Sequence, residues 1–159
     1  MVHAVRTIKV NDDPAAPRLT RSLVWRGLVM KAENPLPFVP VITSCEVVER
    51  HDDWLLREIV DRGDPITERV TFHPERIVEF ERLSGRVLGT IRNEIVADDD
   101  GDLALRFTFT LTVEGLEPGS AAERQFIGEM EHGYLMAVTT TLNAMRKLAK
   151  DNALVGLDS

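Results

Sequence analysis

Polar side chains recur on strand faces that are otherwise apolar, and their types are the ones in this sequence best suited to chemistry. In the strand-like segments between residues 66 and 97, alternation of side chains places Glu68, Arg82 and Asn93 on one apolar face. A carboxylate beside a guanidinium can form a structural ion pair or contact a bound ligand. It can also accept a proton while the guanidinium holds an enolate, which is the chemistry of an aldol-type cyclisation.

The two preceding strand-like segments, 41–50 and 54–62, each admit two orientations. One orientation turns inward the side chains of Ile42, Ser44, Glu46, Val48, Leu55, Arg57 and Ile59. The other turns inward those of Val41, Thr43, Cys45, Val47, Trp54, Leu56, Glu58 and Val60. The second set is the more apolar. We favour the first, because Glu46 and Arg57 would then continue an alternation of charge across four neighbouring strands, and a buried charge needs a partner.

The residue types that usually carry metal or nucleophilic chemistry are not arranged for it. None of the four histidines pairs with another histidine or with a cysteine at metal-ligand spacing. Cys45 has no neighbouring signature of a nucleophile, and phosphate-binding, dinucleotide-binding and serine-hydrolase motifs are absent from the sequence. The sequence therefore predicts no metal, no cofactor and no catalytic residue.

Hydrophobic periodicity predicts the elements that must position these side chains. A strand at 2–10 is followed by a helix at 19–33, with Thr20 as its N-cap and Asn34 and Pro35 as its stop. The remaining elements are six strands and one long helix, at 41–50, 54–62, 66–73, 76–83, 86–97, 103–115 and 120–151. The short links between the strands favour a meandering antiparallel sheet.

The long last helix is the only predicted element large enough to cover the apolar face of this sheet. Its apolar stripe includes Met130 and Tyr134, and the strand at 103–115 presents Phe107 and Phe109 to it. The two layers can meet as solid core, or they can enclose a cavity.

Turn positions set the expected register of the strands. A tight turn after the strand at 76–83 places Phe80 opposite Gly89. Gly89 would then make room for the ring of Phe80 or for a bend in the sheet.

Length, charge and cysteine content narrow the class of protein. The 159 residues fit one domain, expected at 1–152 and followed by a tail at 153–159. The net charge of −7 argues against nucleic acid as a partner. No apolar run reaches the roughly 20 residues that span a bilayer, so no membrane insertion is expected. The single cysteine rules out an internal disulfide and indicates a cytoplasmic location.

The order of elements, together with the segment LTRSLVWRGLVMKAENPLPFVP (19–40), resembles the START or SRPBCC superfamily of the birch pollen allergen, and within it a bacterial pathogenesis-related-allergen-like family. The resemblance implies an α+β helix-grip fold. In that fold a curved seven-stranded antiparallel sheet wraps a long C-terminal helix, a short helix follows the first strand, and a cavity often remains inside. Superfamily members include lipid carriers, receptors, and polyketide aromatases and cyclases, so the fold alone selects no function. The glycine-rich loop of the plant allergens is replaced here by ERHDDW (49–54), which argues against a phosphate-cradling role.

We therefore predict a protein that binds a small apolar or aromatic molecule, either a lipid or an aromatic metabolite, between the sheet and the last helix, and we favour binding without catalysis. The predicted ligand-binding residues are Arg57, Glu68, Phe72, Phe80, Arg82, Asn93, Phe107, Phe109, Met130 and Tyr134. One alternative is an aromatase- or cyclase-like enzyme that uses the same cavity. The other is an interaction module whose core is filled by its own side chains, with a homodimer as its candidate assembly.

Overall fold

The computed structural model describes residues 2–155 of the chain, with side chains for residues 3–151. It contains seven strands and two helices in the predicted order. Their bounds are β1 Val2–Lys9, α1 Arg21–Glu33, β2 Ile42–Arg50, β3 Trp54–Asp61, β4 Asp64–His73, β5 Ile77–Arg82, β6 Val87–Ala97, β7 Leu103–Val113 and α2 Ala121–Val155. Residues 156–159 of the predicted tail lie outside the described residues, and the domain boundary at residue 152 stays a prediction.

The strands form one antiparallel sheet in the order β1-β7-β6-β5-β4-β3-β2. From β2 to β7, each strand pairs in the sheet with the strand that follows it in the sequence. Strand β1 pairs with β7 and forms the opposite edge of the sheet from β2. The sheet and the two helices share one apolar core. This arrangement is an α+β helix-grip fold, which confirms the fold class predicted from the sequence. Neither helix, over the described residues, is long and apolar enough to cross a membrane.

The inner row of β7 is covered by solid core. Leu105, Phe107, Phe109 and Leu111 have no exposed surface and belong to one apolar cluster. That cluster also contains residues of both helices, among them Leu28, Ile127, Val138, Leu142 and Met145. Side chains therefore fill the space beneath β7, and any room for a ligand has to lie nearer the β2 edge of the sheet.

Helix α1 begins at Arg21, two residues after the predicted start at residue 19, and it has the predicted N-cap and the predicted end. The side chain of Thr20 accepts a hydrogen bond from the amide of Leu23 at 3.2 Å, and extended backbone at Asn34 ends the helix. The helix passes close to α2 at Gly27, where a β-carbon would lie 2.7 Å from Cγ of Met145. Held in this way, the last turn of α1 lies over β5 and β6.

The inward face of β3 agrees with the favoured orientation, whereas that of β2 does not. On β3, Arg57 and its apolar neighbours are buried as predicted. On β2, Glu46 is exposed and lies opposite Glu58, because the register shifts between Ile42 and Ser44. The prediction that Glu46 starts the alternation of charge is therefore wrong, and the alternation starts at Arg57.

The register between β5 and β6 is shifted by two residues from the predicted one. Phe80 lies opposite Ile91, and Gly89 lies opposite Arg82, so the predicted pairing of Phe80 with Gly89 is wrong. The connection is longer than a tight turn, and a shift of two residues leaves each side chain on its predicted face. Gly89 instead permits close approach to β7: its φ is +125°, and a β-carbon there would lie 2.0 Å from the carbonyl oxygen of Thr110.

Replacing Gly89 with alanine is expected to lower the free energy of unfolding by about 3 kcal/mol, because the added carbon would displace the Thr110 carbonyl. The matched control is Gly101→Ala. Gly101 also has a positive φ of +81°, but no described atom lies within 4 Å of its β-carbon position. Its expected loss is about 1 kcal/mol, from backbone strain alone. Urea unfolding measures both losses, and equal values would contradict the close approach.

Candidate functional site

Two arginines and two carboxylates form a buried network on the inner face of the sheet. The register places Arg57 of β3, Glu68 of β4 and Arg82 of β5 side by side. Arg57 donates through Nε and Nη2 to Oε1 of Glu68, at 2.9 and 2.7 Å. Arg82 lies 3.4 Å from Oε2 of Glu68 through Nε, and it donates through Nη2 to Oδ2 of Asp61 at 2.7 Å. Because two positive charges balance two negative ones, the network can lie out of water.

The network also fixes the end of α1. Nη1 of Arg57 donates to the carbonyl oxygen of Ala32 at 2.7 Å. That carbonyl lies in the last turn of the helix, where it has no partner within the helix. A positive charge is also favourable at a helix C-terminus, because it opposes the helix dipole. The position of the preceding residue, Lys31, therefore depends on the network.

Lys31 projects from this helix end into the space between the sheet and α2. Its amine donates to the hydroxyl oxygen of Tyr134 at 3.0 Å and to Oδ1 of Asn93 at 3.5 Å. Nδ2 of Asn93 donates to the same hydroxyl at 2.8 Å. The amine also lies over the rings of Tyr134 and Phe80, at 4.4 and 5.3 Å from their centroids. Among the described side chains, no carboxylate forms an ion pair with Lys31.

Burial changes the proton affinity of both groups at this contact. Burial, reinforced by the positive charge of Arg57 and opposed by Glu68, lowers the pKa of the Lys31 amine to about 7. Burial also raises the pKa of the Tyr134 hydroxyl above its usual value, against the hydrogen bond from Asn93. The site thus holds an amine that exchanges its proton near neutral pH beside a phenol that keeps its own.

A cavity of about 60 Å³ lies between this cluster and α2. Its polar wall consists of Lys31, Arg57, Asp61, Arg62, Glu68, Arg82 and Tyr134. Its apolar wall consists of Pro35, Val39, Val41, Ile42, Ile59, Phe80, Ile91 and Met130, beside Gly133 of α2. A water molecule needs about 10–15 Å³ of such space, so the cavity has room for more than one. It is well below the roughly 300 Å³ at which ordinary ligand sites begin.

Six of the ten predicted binding residues line this cavity: Arg57, Glu68, Phe80, Arg82, Met130 and Tyr134. Asn93 lies behind them, at the hydroxyl of the tyrosine. Phe107 and Phe109 set their rings edge-on to the same tyrosine, with centroids 5.6 and 5.4 Å away, and so support it from below. Phe72 lies outside the cavity lining and packs edge-on against Trp25 at 6.3 Å.

The sequence patterns missed Lys31, Asp61 and Arg62. Lys31 follows buried Leu28 by three residues, so the apolar stripe of α1 already pointed to its position. Asp61 follows Arg57 by four residues, which places both on one face of β3. Arg62 has a left-handed backbone, with φ of 50°, and strand alternation does not describe such a residue.

The geometry changes the chemistry expected of Glu68 and Arg82. Oε1 of Glu68 accepts two hydrogen bonds from Arg57, and Oε2 lies 3.4 Å from Nε of Arg82 without a hydrogen bond between the two atoms. Glu68 and Arg82 therefore form an ion pair within a network that already holds the other carboxylate oxygen. The cavity group that can gain or lose a proton near neutral pH is Lys31.

Among the described residues, one group brings three acidic side chains together. Asp98, Asp100 and Asp102 lie in the turn between β6 and β7, with carboxylate oxygens within 4.8 Å of one another. Lys9 lies 3.6 and 3.5 Å from two of them, and backbone amides of the turn donate to Asp98. These contacts account for the cluster as a structured turn, and it shares no residue with the cavity.

Comparison with known proteins places this geometry in a family. The family model described as acetylaranotin biosynthesis cluster protein L matches residues 5–152. The protein of that name from Aspergillus terreus is 26% identical over 152 residues, which cover 93% of this chain and 90% of the fungal protein. The matched region extends from within β1 into the last turns of α2, so it includes the whole site.

Solved structures share the fold at lower identity. The Zhui aromatase/cyclase from Streptomyces sp. R1128 has a TM-score of 0.65 at 20% identity, covering 92% of this chain and 94% of that chain. XoxI from Bacillus cereus has a TM-score of 0.66 at 15% identity, covering 93% and 98%. Ara h 8.0201 has a TM-score of 0.59 at 13% identity, covering 89% and 98%. At such identities these similarities establish the helix-grip fold alone.

Removing the central carboxylate charge by Glu68→Gln is expected to destabilise the protein by about 3 kcal/mol, because two buried guanidinium groups would be left with Asp61 alone. The matched control is Glu33→Gln, which removes the charge of a short ion pair to Arg50 at 2.6 Å. The side chain of Glu33 is 42% exposed and that of Arg50 is 55% exposed. That pair is expected to contribute less than about 1 kcal/mol. Urea unfolding measures both changes, and similar losses would show that the buried network carries no special weight.

Lys31 is expected to lower the stability of the protein at neutral pH. Its pKa falls from 10.5 in the unfolded chain to about 7 on folding. Between these values the unfolded chain binds a proton that the folded protein does not, so stability rises with pH across this window, by up to about 1.4 kcal/mol per pH unit. Lys31→Met should therefore stabilise the protein most near pH 7, and the gain should shrink towards about pH 9.5.

Urea unfolding at both pH values measures this gain. Lys147→Met, at an exposed lysine of α2, is the control and should change little at either pH. A gain from Lys31→Met that is the same at both pH values would contradict a lowered amine pKa.

Proposed function

The chain belongs to the family of acetylaranotin biosynthesis cluster protein L, and from that premise we propose that it binds a small molecule in the cavity between the sheet and α2. The ligand has a compact apolar or aromatic body and a polar group. The observation that carries this proposal is that a buried amine, a phenol hydroxyl and an apolar wall meet in one cavity. Small-molecule sites combine an apolar lining with a few fixed polar groups that orient the ligand.

Arg62 and Gly133 mark the side from which we expect the ligand to enter. The Arg62 side chain is 37% exposed, and its Nη2 lies 3.5 Å from the position that a β-carbon would occupy at Gly133. A cavity that accommodates benzene measures about 150 Å³, so a ring needs more space than the roughly 60 Å³ of this cavity. We expect outward rotation of the partly exposed Arg62 side chain to enlarge it when a ligand enters.

The volume favours a compact ligand over a lipid. The cavity measures about 60 Å³, and the part of the fold beneath β7 is filled by aromatic and aliphatic side chains. An aromatase/cyclase shares this fold, which supports a ring-bearing ligand.

Cys45 is free, in line with our proposal that the protein works in the reducing cytoplasm.

The test uses 4-fluorobenzyl alcohol as the probe and ¹⁹F NMR as the measurement. Gly133→Leu is expected to weaken saturable binding by at least about tenfold, because the leucine side chain would occupy the cavity. Gly128→Leu is the matched control, since no described atom lies within 4 Å of its β-carbon position on the same helix. Both changes should raise helix propensity by up to about 1 kcal/mol, so loss of folding would not explain loss of binding.

The three proteins give a clear outcome. Binding by the wild type and by Gly128→Leu, together with its loss in Gly133→Leu, supports the cavity as the binding site. Equal binding by both variants would locate the probe elsewhere. Absence of saturable binding by the wild type would overturn the proposed function.

A further inference from the structure

We propose that Lys31 captures a carbonyl ligand covalently, so that the molecules bound in this cavity are small aldehydes or ketones held as an imine on its amine. This inference rests on the proposed binding function and names the chemistry of the ligand. It follows from where the amine lies, from what surrounds it, and from which charges are already balanced.

The amine of Lys31 faces a cavity and contacts neutral groups. Its side chain is 3% exposed, it lines the cavity, and its hydrogen-bond partners are the Tyr134 hydroxyl and the Asn93 amide oxygen. A buried ammonium ordinarily requires a carboxylate partner. Since no described carboxylate pairs with it, the surroundings favour the neutral amine, which is the nucleophilic form.

The nearby charges also favour the neutral form of the Lys31 amine. The cluster contributes Arg57 from β3, Glu68 from β4 and Arg82 from β5, with Asp61 at the end of β3. These four charges cancel one another, so a protonated Lys31 would add an uncompensated charge. A Lys31 pKa of about 7 means that roughly half of the amine is unprotonated at neutral pH. For an exposed lysine that fraction is roughly one in a few thousand.

The capture step balances without any further reagent. The lone pair of Nζ forms a bond to the carbonyl carbon, the electron pair of the C=O bond moves to oxygen, and the first amine proton passes to that oxygen to give a carbinolamine. The C–O bond then breaks as the second amine proton passes to the same oxygen, which leaves as water, and the nitrogen lone pair closes the C=N bond. One amine and one carbonyl thus yield one imine and one water, and nothing is oxidised or reduced.

Tyr134 is placed to move the protons of this step. Its hydroxyl accepts a hydrogen bond from Nζ of Lys31 at 3.0 Å and one from Nδ2 of Asn93 at 2.8 Å, and it donates to Oδ1 of Asn93 at 3.0 Å. Burial raises the pKa of this hydroxyl, so it remains protonated at neutral pH and can donate to the departing oxygen. Phe107 and Phe109 fix the tyrosine ring against β7, which keeps the hydroxyl oxygen within hydrogen-bond distance of the amine.

The chain contains its own control lysine. Lys9 is 52% exposed and lies near Asp98 and Asp100, whose negative charges raise its pKa above the usual value. A reagent that reacts with any accessible lysine would label Lys9 in preference to buried Lys31. A reagent that selects for a neutral amine in a cavity would do the reverse.

The experiment treats the wild-type protein with 4-fluorobenzaldehyde and sodium cyanoborohydride near pH 7, followed by intact mass measurement and peptide mapping. The expected result is a fluorobenzyl adduct at Lys31, at least about tenfold more abundant than at Lys9. Lys31→Met should remove the dominant adduct, and Gly133→Leu should suppress it because the aldehyde cannot enter. Labelling of Lys31 should rise with pH and level off above about 7, whereas labelling of Lys9 should stay low and continue to rise with pH without levelling off.

Tyr134→Phe tests the proton transfer. With the aldehyde at concentrations that saturate each protein, so that a change in affinity does not enter the comparison, the rate constant of adduct formation at Lys31 should fall by about tenfold or more. An unchanged rate would overturn the role of the hydroxyl.

The two proposals fail in different ways. If 4-fluorobenzyl alcohol binds but the aldehyde labels Lys31 no more than Lys9, carbonyl capture is wrong and the binding function stands. If neither probe reaches the cavity, both proposals are wrong.

Discussion

The alternation of charge across β3, β4 and β5 is the constraint on which the rest of the structure depends. Arg57, Glu68 and Arg82 lie side by side beneath the helices, and each would be strongly destabilising there without the others. Asp61 balances the second arginine from the end of β3. The network also fixes a helix, because Arg57 donates to the carbonyl of Ala32 in the last turn of α1. The same arginine therefore compensates charge in the sheet and positions the end of α1.

A consequence of this arrangement is the isolation of Lys31. The carboxylates of the network are paired with arginines. Lys31 of α1 therefore contacts the hydroxyl of Tyr134 and the amide of Asn93, and no anion among the described side chains. A hydrophobic side chain there would pack without the desolvation of an amine. An amine that lowers stability at its position is typical of functional sites, where groups unfavourable for folding are retained because the activity requires them. The cavity is small because Phe107 and Phe109 fill the neighbouring space and hold Tyr134 in place.

Much of this structure could be predicted from the sequence, because strand alternation states which side chains share a face. It placed Glu68, Arg82 and Arg57 on the inner face correctly, and a register error of two residues left that result intact. It failed for Glu46, since a register irregularity in β2 changes the face without a clear mark in the sequence. Lys31 was missed for a different reason. Its helical spacing was visible, but its partners come from β6 and α2, and only tertiary packing brings those elements to the end of α1.

The central claim is that the charged network leaves Lys31 as a neutral amine near physiological pH. The most direct measurement is an NMR titration of the side-chain nitrogens in protein carrying ¹⁵N-labelled lysine, which observes each of the four lysines separately. The account predicts that Lys31 titrates near pH 7, whereas Lys9, whose pKa is raised by Asp98 and Asp100, keeps its proton throughout that range. A Lys31 signal that titrates together with that of Lys9 would contradict it.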